Sequence, residues 1–340
     1  MTELEREQLR ATPKAELHLH LEGSLAPATL WRLAQRQGHP FGLDSLAACQ
    51  RLYQFRDFAG FIQAIKTASQ LLRNPADYAA AVAALAEALA PQGVVYAEVF
   101  LSLGILLWRQ VEVEPYWEAI EEARTGAEAA TGVRLRWIFD AVRQFGAEPF
   151  ERVVDWALKL APAGAVVGIG VGGDEAQRSA AEFAPGYARA RAAGLRTSIH
   201  AGETCGPESV WDALRQLSPD RIGHGLRAIG DPGLVDELAR RGTPLDVCPT
   251  SNYKTGALRP GQPHPAHELH RRGVRMAVSS DDPGIFGCTL LGEYAWLNEH
   301  GGFSLEELRQ LARASLDSRV VPGLPRLAPP QAGGDRGMGI

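Results

Sequence analysis

Apolar and polar residues alternate through AELHLHLEGSL, residues 15–25. A two-residue period marks a β-strand, where residues i and i+2 share a face. His18 and His20 therefore look out from one side, with Glu22 following on the same side. Two imidazoles fixed side by side on a strand make half of a metal site. Two ligands alone do not hold a metal, so the rest of the chain must supply more.

The pattern elsewhere alternates between helical and strand periods. A short polar helix is predicted over residues 2–10, and PATLWRLAQRQG reads as a helix ending at Gly38. Residues 40–90 carry Ala, Leu and Phe with polar positions at helical spacing. Several helices are expected there, including DFAGFIQAIKTASQLL and PADYAAAVAALAEALA, as an insert between the first and second strands. After Gly93 come seven further apolar runs: 94–102, 134–143, 165–175, 196–203, 220–226, 243–252 and 274–283. Nearly all are separated by helical segments. Regular βα alternation means parallel strands with helical crossovers, and eight units close a (β/α)₈ TIM barrel. An open doubly wound sheet would show a glycine-rich phosphate loop after its first strand, where this chain has HLHLEGS. The glycines of GIGVGG at 168–173 precede Asp174 and Glu175, which would repel a pyrophosphate. Residues 1–318 are thus expected to form a single barrel domain. The Pro- and Gly-rich stretch 319–340 is expected to be a poorly ordered tail.

Composition narrows the class. The chain has 340 residues, 45% hydrophobic and 22% charged, with a formal net charge of -5. That balance suits a soluble globular protein with a large buried core and argues weakly against nucleic acid or an anionic membrane as the main partner. Cys49, Cys205, Cys248 and Cys288 are widely spaced and read as reduced thiols. The charged start MTELEREQLR has no apolar core of a signal peptide, and no run is long enough to span a bilayer. A cytoplasmic protein is expected.

Position is the informative feature of the polar residues. His18, His20 and Glu22 end the first strand, and Asp174 and Glu175 follow the fourth. His200 and Glu203 end the fifth and His224 the sixth. Ser251 and Asn252 follow the seventh, and Asp281 and Asp282 the eighth. In a barrel these ends converge on the face where active sites lie. His18, His20, His200 and Asp281 supply three imidazole nitrogens and a carboxylate, a set that suits Zn²⁺, with iron or manganese as alternatives. Glu203 lies just past the strand and can face a substrate. His224 could orient or deprotonate a water, and Asp282 must point away from Asp281. Singly, each has a plainer reading as core histidine, helix cap or turn. His39, His264, His267, His270 and His300 fall away from strand ends and are read as solvated.

The motifs HLHLEGS, GDE, HAGE, RIGHG, CPTSN and SSDDP, in this order, resemble the adenosine deaminase family of the amidohydrolase superfamily. The resemblance runs from about residue 13 to about residue 318. It implies a (β/α)₈ barrel holding one zinc per chain that replaces the 6-amino group of a purine by oxygen. His18, His20, His200 and Asp281 would be the ligands. Glu203 would protonate N1 and His224 would hold the attacking water. Asp282 would bond N7, the Gly173 N–H would reach N3, and Glu22 would contact the ribose 5′ side. The family's fourth strand often carries an Asp where Gly170 stands, and Glu22 is longer than the usual Asp. The side chain missing at 170 is expected to open space at the 5′ end of the pocket, and the extra methylene of Glu22 to move its carboxylate. The C-terminus also lacks the family's usual final helical segment.

Adenosine is the first expected substrate. The alternatives are 6-amino-6-deoxyfutalosine, an adenosine carrying a benzoate at its 5′ end, and free adenine. Arg56, Arg109 and Arg143 are candidate partners for such a carboxylate. A binuclear amidohydrolase would need a bridging Lys on the fourth strand, and GIGVGGDE has none. The other zinc deaminase fold needs H-x-E with P-C-x-x-C, which is absent. A catalytically dead barrel acting as a binding protein would have lost a ligand or Glu203, and all are kept.

Overall fold

The computed structural model describes residues 1–317, so the tail at 319–340 lies outside the described residues. Eight parallel strands pair in sequence order. They are β1 (Lys14–His20), β2 (Val94–Leu101), β3 (Arg134–Val142), β4 (Val166–Gly172), β5 (Arg196–Ala201), β6 (Arg221–His224), β7 (Leu245–Val247) and β8 (Met276–Val278). The barrel closes where the backbone of Asp281 meets β1. His20 N–H donates to the Asp281 carbonyl at 2.9 Å, and Asp281 N–H donates to the His18 carbonyl at 3.0 Å. The expected (β/α)₈ architecture is therefore present.

The last strands are shorter than the apolar runs suggest. Each run ends in a turn rather than more ladder. His224 and Asp281 both adopt left-handed backbone, with φ of 62° and 63°. Such angles cost energy in non-glycine residues and concentrate at functional sites. Pro249 and Pro283 then open short helices immediately after β7 and β8, a position where proline loses no hydrogen bond.

The expected helical insert fills the interval between β1 and β2. Helix Phe58–Leu71 is capped by Asp57, whose side chain accepts from Gly60 N–H. Helix Pro75–Leu89 starts from a capping box of Asn74 and Asp77. The C-terminus, where the family's final helical segment is expected to be lacking, lies outside the described residues. Leu305–Asp317 is an amphipathic helix that buries Leu308, Leu311, Ala312 and Leu316. Its Ser315 hydroxyl accepts the Ala15 N–H at 2.8 Å. No helix among the described residues is long and apolar enough to cross a membrane.

β1 shifts register against β2 between Glu16 and Leu19, and its end turns His18 and His20 to the barrel mouth, against Phe100. The floor below the histidines is charged rather than apolar. Arg221 donates to Glu98 at 2.6 Å and to the Leu17 carbonyl at 2.8 Å, and it sits beside Asp246. All four groups are buried. Opposite charges and carbonyls satisfy one another here, as burial demands.

Candidate active site

The imidazoles of His18, His20 and His200 and the carboxylate of Asp281 converge at the C-terminal mouth of the barrel. His18 Nε2 and His20 Nε2 lie 3.0 and 3.2 Å from His200 Nε2. Asp281 Oδ1 lies 3.5 Å from both His18 Nε2 and His20 Nε2. A tetrahedron with Zn–N arms of 2.0–2.1 Å has corners roughly 3.3 Å apart. The donor atoms thus sit at the corners a metal would need. Their hydrogen-bonding points the same way. His18 Nδ1 faces Asp246 Oδ2 at 3.2 Å, and His200 Nδ1 faces the Val171 carbonyl at 3.2 Å. With both Nδ1–H groups donating, the Nε2 lone pairs face one another, an arrangement that a cation resolves. Burial keeps His200 neutral and depresses His20 to about 3. Burial opposes charge on His18 too, but Asp246 and Asp281 outweigh it and lift its pKa to about 10, so a metal at this corner would take the place of a proton on His18 Nε2.

Around this cluster the other expected residues line one cavity of about 290 Å³: Glu22, Gly173, Glu203, His224 and Asp282. Burial raises the Glu203 carboxyl to about 8, helped by the nearby charges of Asp281 and Glu175. Its Oε1 accepts from Thr255 Oγ1 at 3.1 Å. The two adjacent aspartates are split by their surroundings. Histidines on its metal-facing side hold Asp281 ionised against burial. Burial, then the charge of Asp281, pushes the Asp282 carboxyl well above the usual carboxylate range. Asp281 Oδ2 accepts from Ser251 Oγ at 2.6 Å. Gly23 explains part of HLHLEGS: a Cβ there would overlap the Asp282 carboxylate. Glu175 ties down the HAGE turn by accepting the N–H groups of Gly202, Glu203 and Cys205.

Several expectations change. Gly170 does not open the 5′ end, because its empty side is already occupied. A Cβ there would meet Phe100 Cε1 at 2.6 Å and Asp140 Oδ1 at 3.0 Å. Arg109 donates to the carbonyls of Leu72 and Ser69 at 2.8 and 2.7 Å. Arg143 donates to those of Arg178 and His200 at 3.0 and 2.7 Å. Arg56 is exposed and does not line the cavity. Instead Lys66 is the one Lys or Arg in the lining among the described residues. His264 is not solvated but buried behind His224, bonded to Asn252. His39, His267, His270 and His300 are exposed or half-buried, as expected.

Asp246, Asp140 and Lys66 were not anticipated. Asp246 carries a signal in hindsight, as a lone charge within the apolar run TPLDVC. Asp140 is buried and lines the cavity beside Glu22. Burial, then the charge of Glu22, raises it to about 8. Glu22 Oε1 accepts from Ser102 N–H at 3.1 Å, while Glu22 Oε2 and Asp140 Oδ1 have no partner among the described residues.

A (β/α)₈ barrel with three histidines and an aspartate at the strand ends, and a protonated acid beside them, defines a metal-dependent hydrolase. A profile of the adenosine deaminase family matches residues 13–326. The chain belongs to that family and is a metal-dependent aminohydrolase acting on purine-like substrates. It is 42% identical over 285 residues to an aminodeoxyfutalosine deaminase of Streptomyces avermitilis, covering 83% of this chain and 79% of the relative. It is 35% identical over 309 residues to an adenine deaminase of Agrobacterium fabrum, covering 91% and 94%. A zinc-bound amidohydrolase from Burkhoderia ambifaria superimposes with a TM-score of 0.87 at 28% identity, covering 95% and 90%.

Proposed function

We propose that this chain hydrolytically deaminates a 6-aminopurine nucleoside extended at its 5′ position, with 6-amino-6-deoxyfutalosine the preferred substrate. Adenosine, the first expectation from sequence, becomes the second choice. The make-up of the cavity lining carries the reading. It holds polar groups suited to purine nitrogens and, besides them, the apolar side chains of Phe58, Phe61, Ile62, Ile65 and Phe145 together with Lys66. A bare purine leaves those side chains unused, whereas an aryl group bearing a carboxylate matches both their apolar surface and the cation. The Streptomyces relative supports the same choice. Free adenine comes third, favoured by the Agrobacterium relative.

The metal assigned to His18, His20, His200 and Asp281 is one zinc ion, which fits the corner spacing and the neighbour that carries zinc. When bound it would act as a Lewis acid that lowers the pKa of a water to about 7. The chain's own groups do the rest. Glu203, neutral near pH 7, donates its proton to N1 and makes C6 electrophilic. Protonated Asp282 donates to N7, and the Gly173 N–H donates to N3. All three purine nitrogens are acceptors, so a base with donors at those positions leaves buried groups unpaired and is rejected. Asp281 Oδ2 takes a proton from the attacking water as its oxygen bonds to C6. That proton passes to the 6-amino group, the C6–N6 bond breaks and ammonia leaves, and the oxygen's remaining proton returns to Glu203 as the 6-oxo group forms. The unpaired oxygens of Glu22 and Asp140 are placed for the sugar hydroxyls.

The test is the ultraviolet shift from the 6-aminopurine to the hypoxanthine chromophore. It is followed separately on adenine, adenosine, 5′-methylthioadenosine and aminodeoxyfutalosine. The highest kcat/KM is expected on aminodeoxyfutalosine. Free adenine as the best substrate overturns the reading of the 5′ end.

A further inference from the structure

We infer that His264 is a positioning residue that fixes the tautomer of His224 through Asn252, so that His224 acts on the attacking oxygen as a hydrogen-bond donor and not as its base. One donor here is unambiguous. A backbone N–H can only donate, and that of Ala266 lies 3.1 Å from His264 Nδ1. His264 Nδ1 is therefore an acceptor. A neutral imidazole has one acceptor and one donor nitrogen, so His264 Nε2 carries the proton. It lies 3.0 Å from Asn252 Oδ1 and donates to it. With its carbonyl engaged, Asn252 turns its amide nitrogen to His224 Nδ1, 3.2 Å away. That amide can only donate. His224 Nδ1 must accept, and the proton of His224 must sit on Nε2.

The consequence falls in the cavity. His224 Nε2 lies 3.6 Å from Glu203 Oε2 and 4.0 Å from Asp281 Oδ2. Both separations are too long for a direct bond and suit an oxygen held between the groups. With its proton on Nε2, neutral His224 offers that oxygen a donor. The water's proton must go elsewhere, and Asp281 Oδ2 is the acceptor at hand. The sequence reading left His224 free to orient or to deprotonate the water, and the chain of bonds selects the first. His264, Asn252 and His224 are all buried, so solvent does not scramble the order. Burial also depresses His264 to about 4, keeping its ring neutral near pH 7.

The inference concerns orientation of the attacking oxygen and holds for any 6-aminopurine substrate. Nitrogen-15 NMR of the imidazoles in the zinc-loaded enzyme reads the tautomer, with His224 assigned by comparison with His224→Ala. A pyrrole-type Nε2 and a pyridine-type Nδ1 are expected. Asn252→Asp offers only acceptors, so it should move the His224 proton to Nδ1 and lower kcat at least about 100-fold with little change in KM. His264→Phe frees the Asn252 amide and should lower kcat less. His264→Gln keeps a donor toward Asn252 and should recover much of that loss. A wild-type His224 protonated on Nδ1 overturns the inference, even if the variants fail to fold. So does Asn252→Asp with wild-type kcat.

Discussion

Asp246 Oδ2 lies 3.2 Å from His18 Nδ1. Arg221 Nε lies 3.4 Å from the same oxygen, and Glu98 holds Arg221 in turn. The charged floor therefore orients a metal ligand from below. Losing such a carboxylate partner typically costs about 10–100-fold in metal affinity. Asp246→Asn is expected to weaken zinc binding by that factor, measured by competition with a chromogenic chelator. Unchanged affinity would remove Asp246 from the account.

Glu203 is raised to about 8, chiefly by burial, and stands apart from the ligand corners. Glu203→Gln should bind metal as wild type does and still bind a purine. Its turnover should drop about 10²–10⁴-fold, the usual contribution of a general acid. Elemental analysis with steady-state rates checks both halves. Near-normal turnover would mean that another group protonates N1.

Lys66 should matter only where the substrate offers a negative charge. It is exposed at the cavity mouth, so a modest effect is expected. In Lys66→Met, the KM for aminodeoxyfutalosine relative to that for 5′-methylthioadenosine should rise about five- to tenfold. Lys66→Arg should restore most of it, and added salt should narrow the difference. An unchanged ratio, with aminodeoxyfutalosine still turned over, removes Lys66 but leaves the substrate reading intact.

Lys14 gives a pH signature in stability. It is buried, its Nζ donates to the Gln92 carbonyl at 2.8 Å, and burial lowers its pKa from 10.5 to about 8. Below about pH 8 the amine is charged whether folded or unfolded. Between about 8 and 10.5 the unfolded chain holds the proton more tightly, so folding becomes more favourable as pH rises. Wild type should therefore gain stability relative to Lys14→Met between pH 7 and pH 10, read from urea midpoints. A constant difference contradicts the assignment.

The barrel and the ligand set were legible because both leave short-range marks. The H-x-H period places two imidazoles on one face, and βα alternation brings every strand end to one mouth. What was missed depends on contacts between distant segments. The space at Gly170 is taken by Phe100 from β2 and Asp140 from β3, which spacing along β4 does not reveal. His264 lies in a proline-flanked loop with no periodicity, and only packing brings it to Asn252. The helix Phe58–Leu71 was expected, but its facing of Phe61 and Lys66 to the cavity comes from tertiary packing. There Phe61 stacks on Phe286, ring centroids 5.2 Å apart, just after Asp282. Arg109 and Arg143 looked available as cations because sequence cannot show carbonyls claiming them.

The central claim is a preference for a purine nucleoside extended at 5′ by an aryl carboxylate. Internal competition tests it most directly. Zinc-loaded enzyme is given adenine, adenosine and aminodeoxyfutalosine in one equimolar mixture, and the three deaminated products are separated by chromatography at low conversion. The product ratio equals the ratio of kcat/KM values, free of differences in enzyme activity between assays. The account predicts that the product of aminodeoxyfutalosine dominates, with inosine second and hypoxanthine least. Hypoxanthine formed fastest would contradict it.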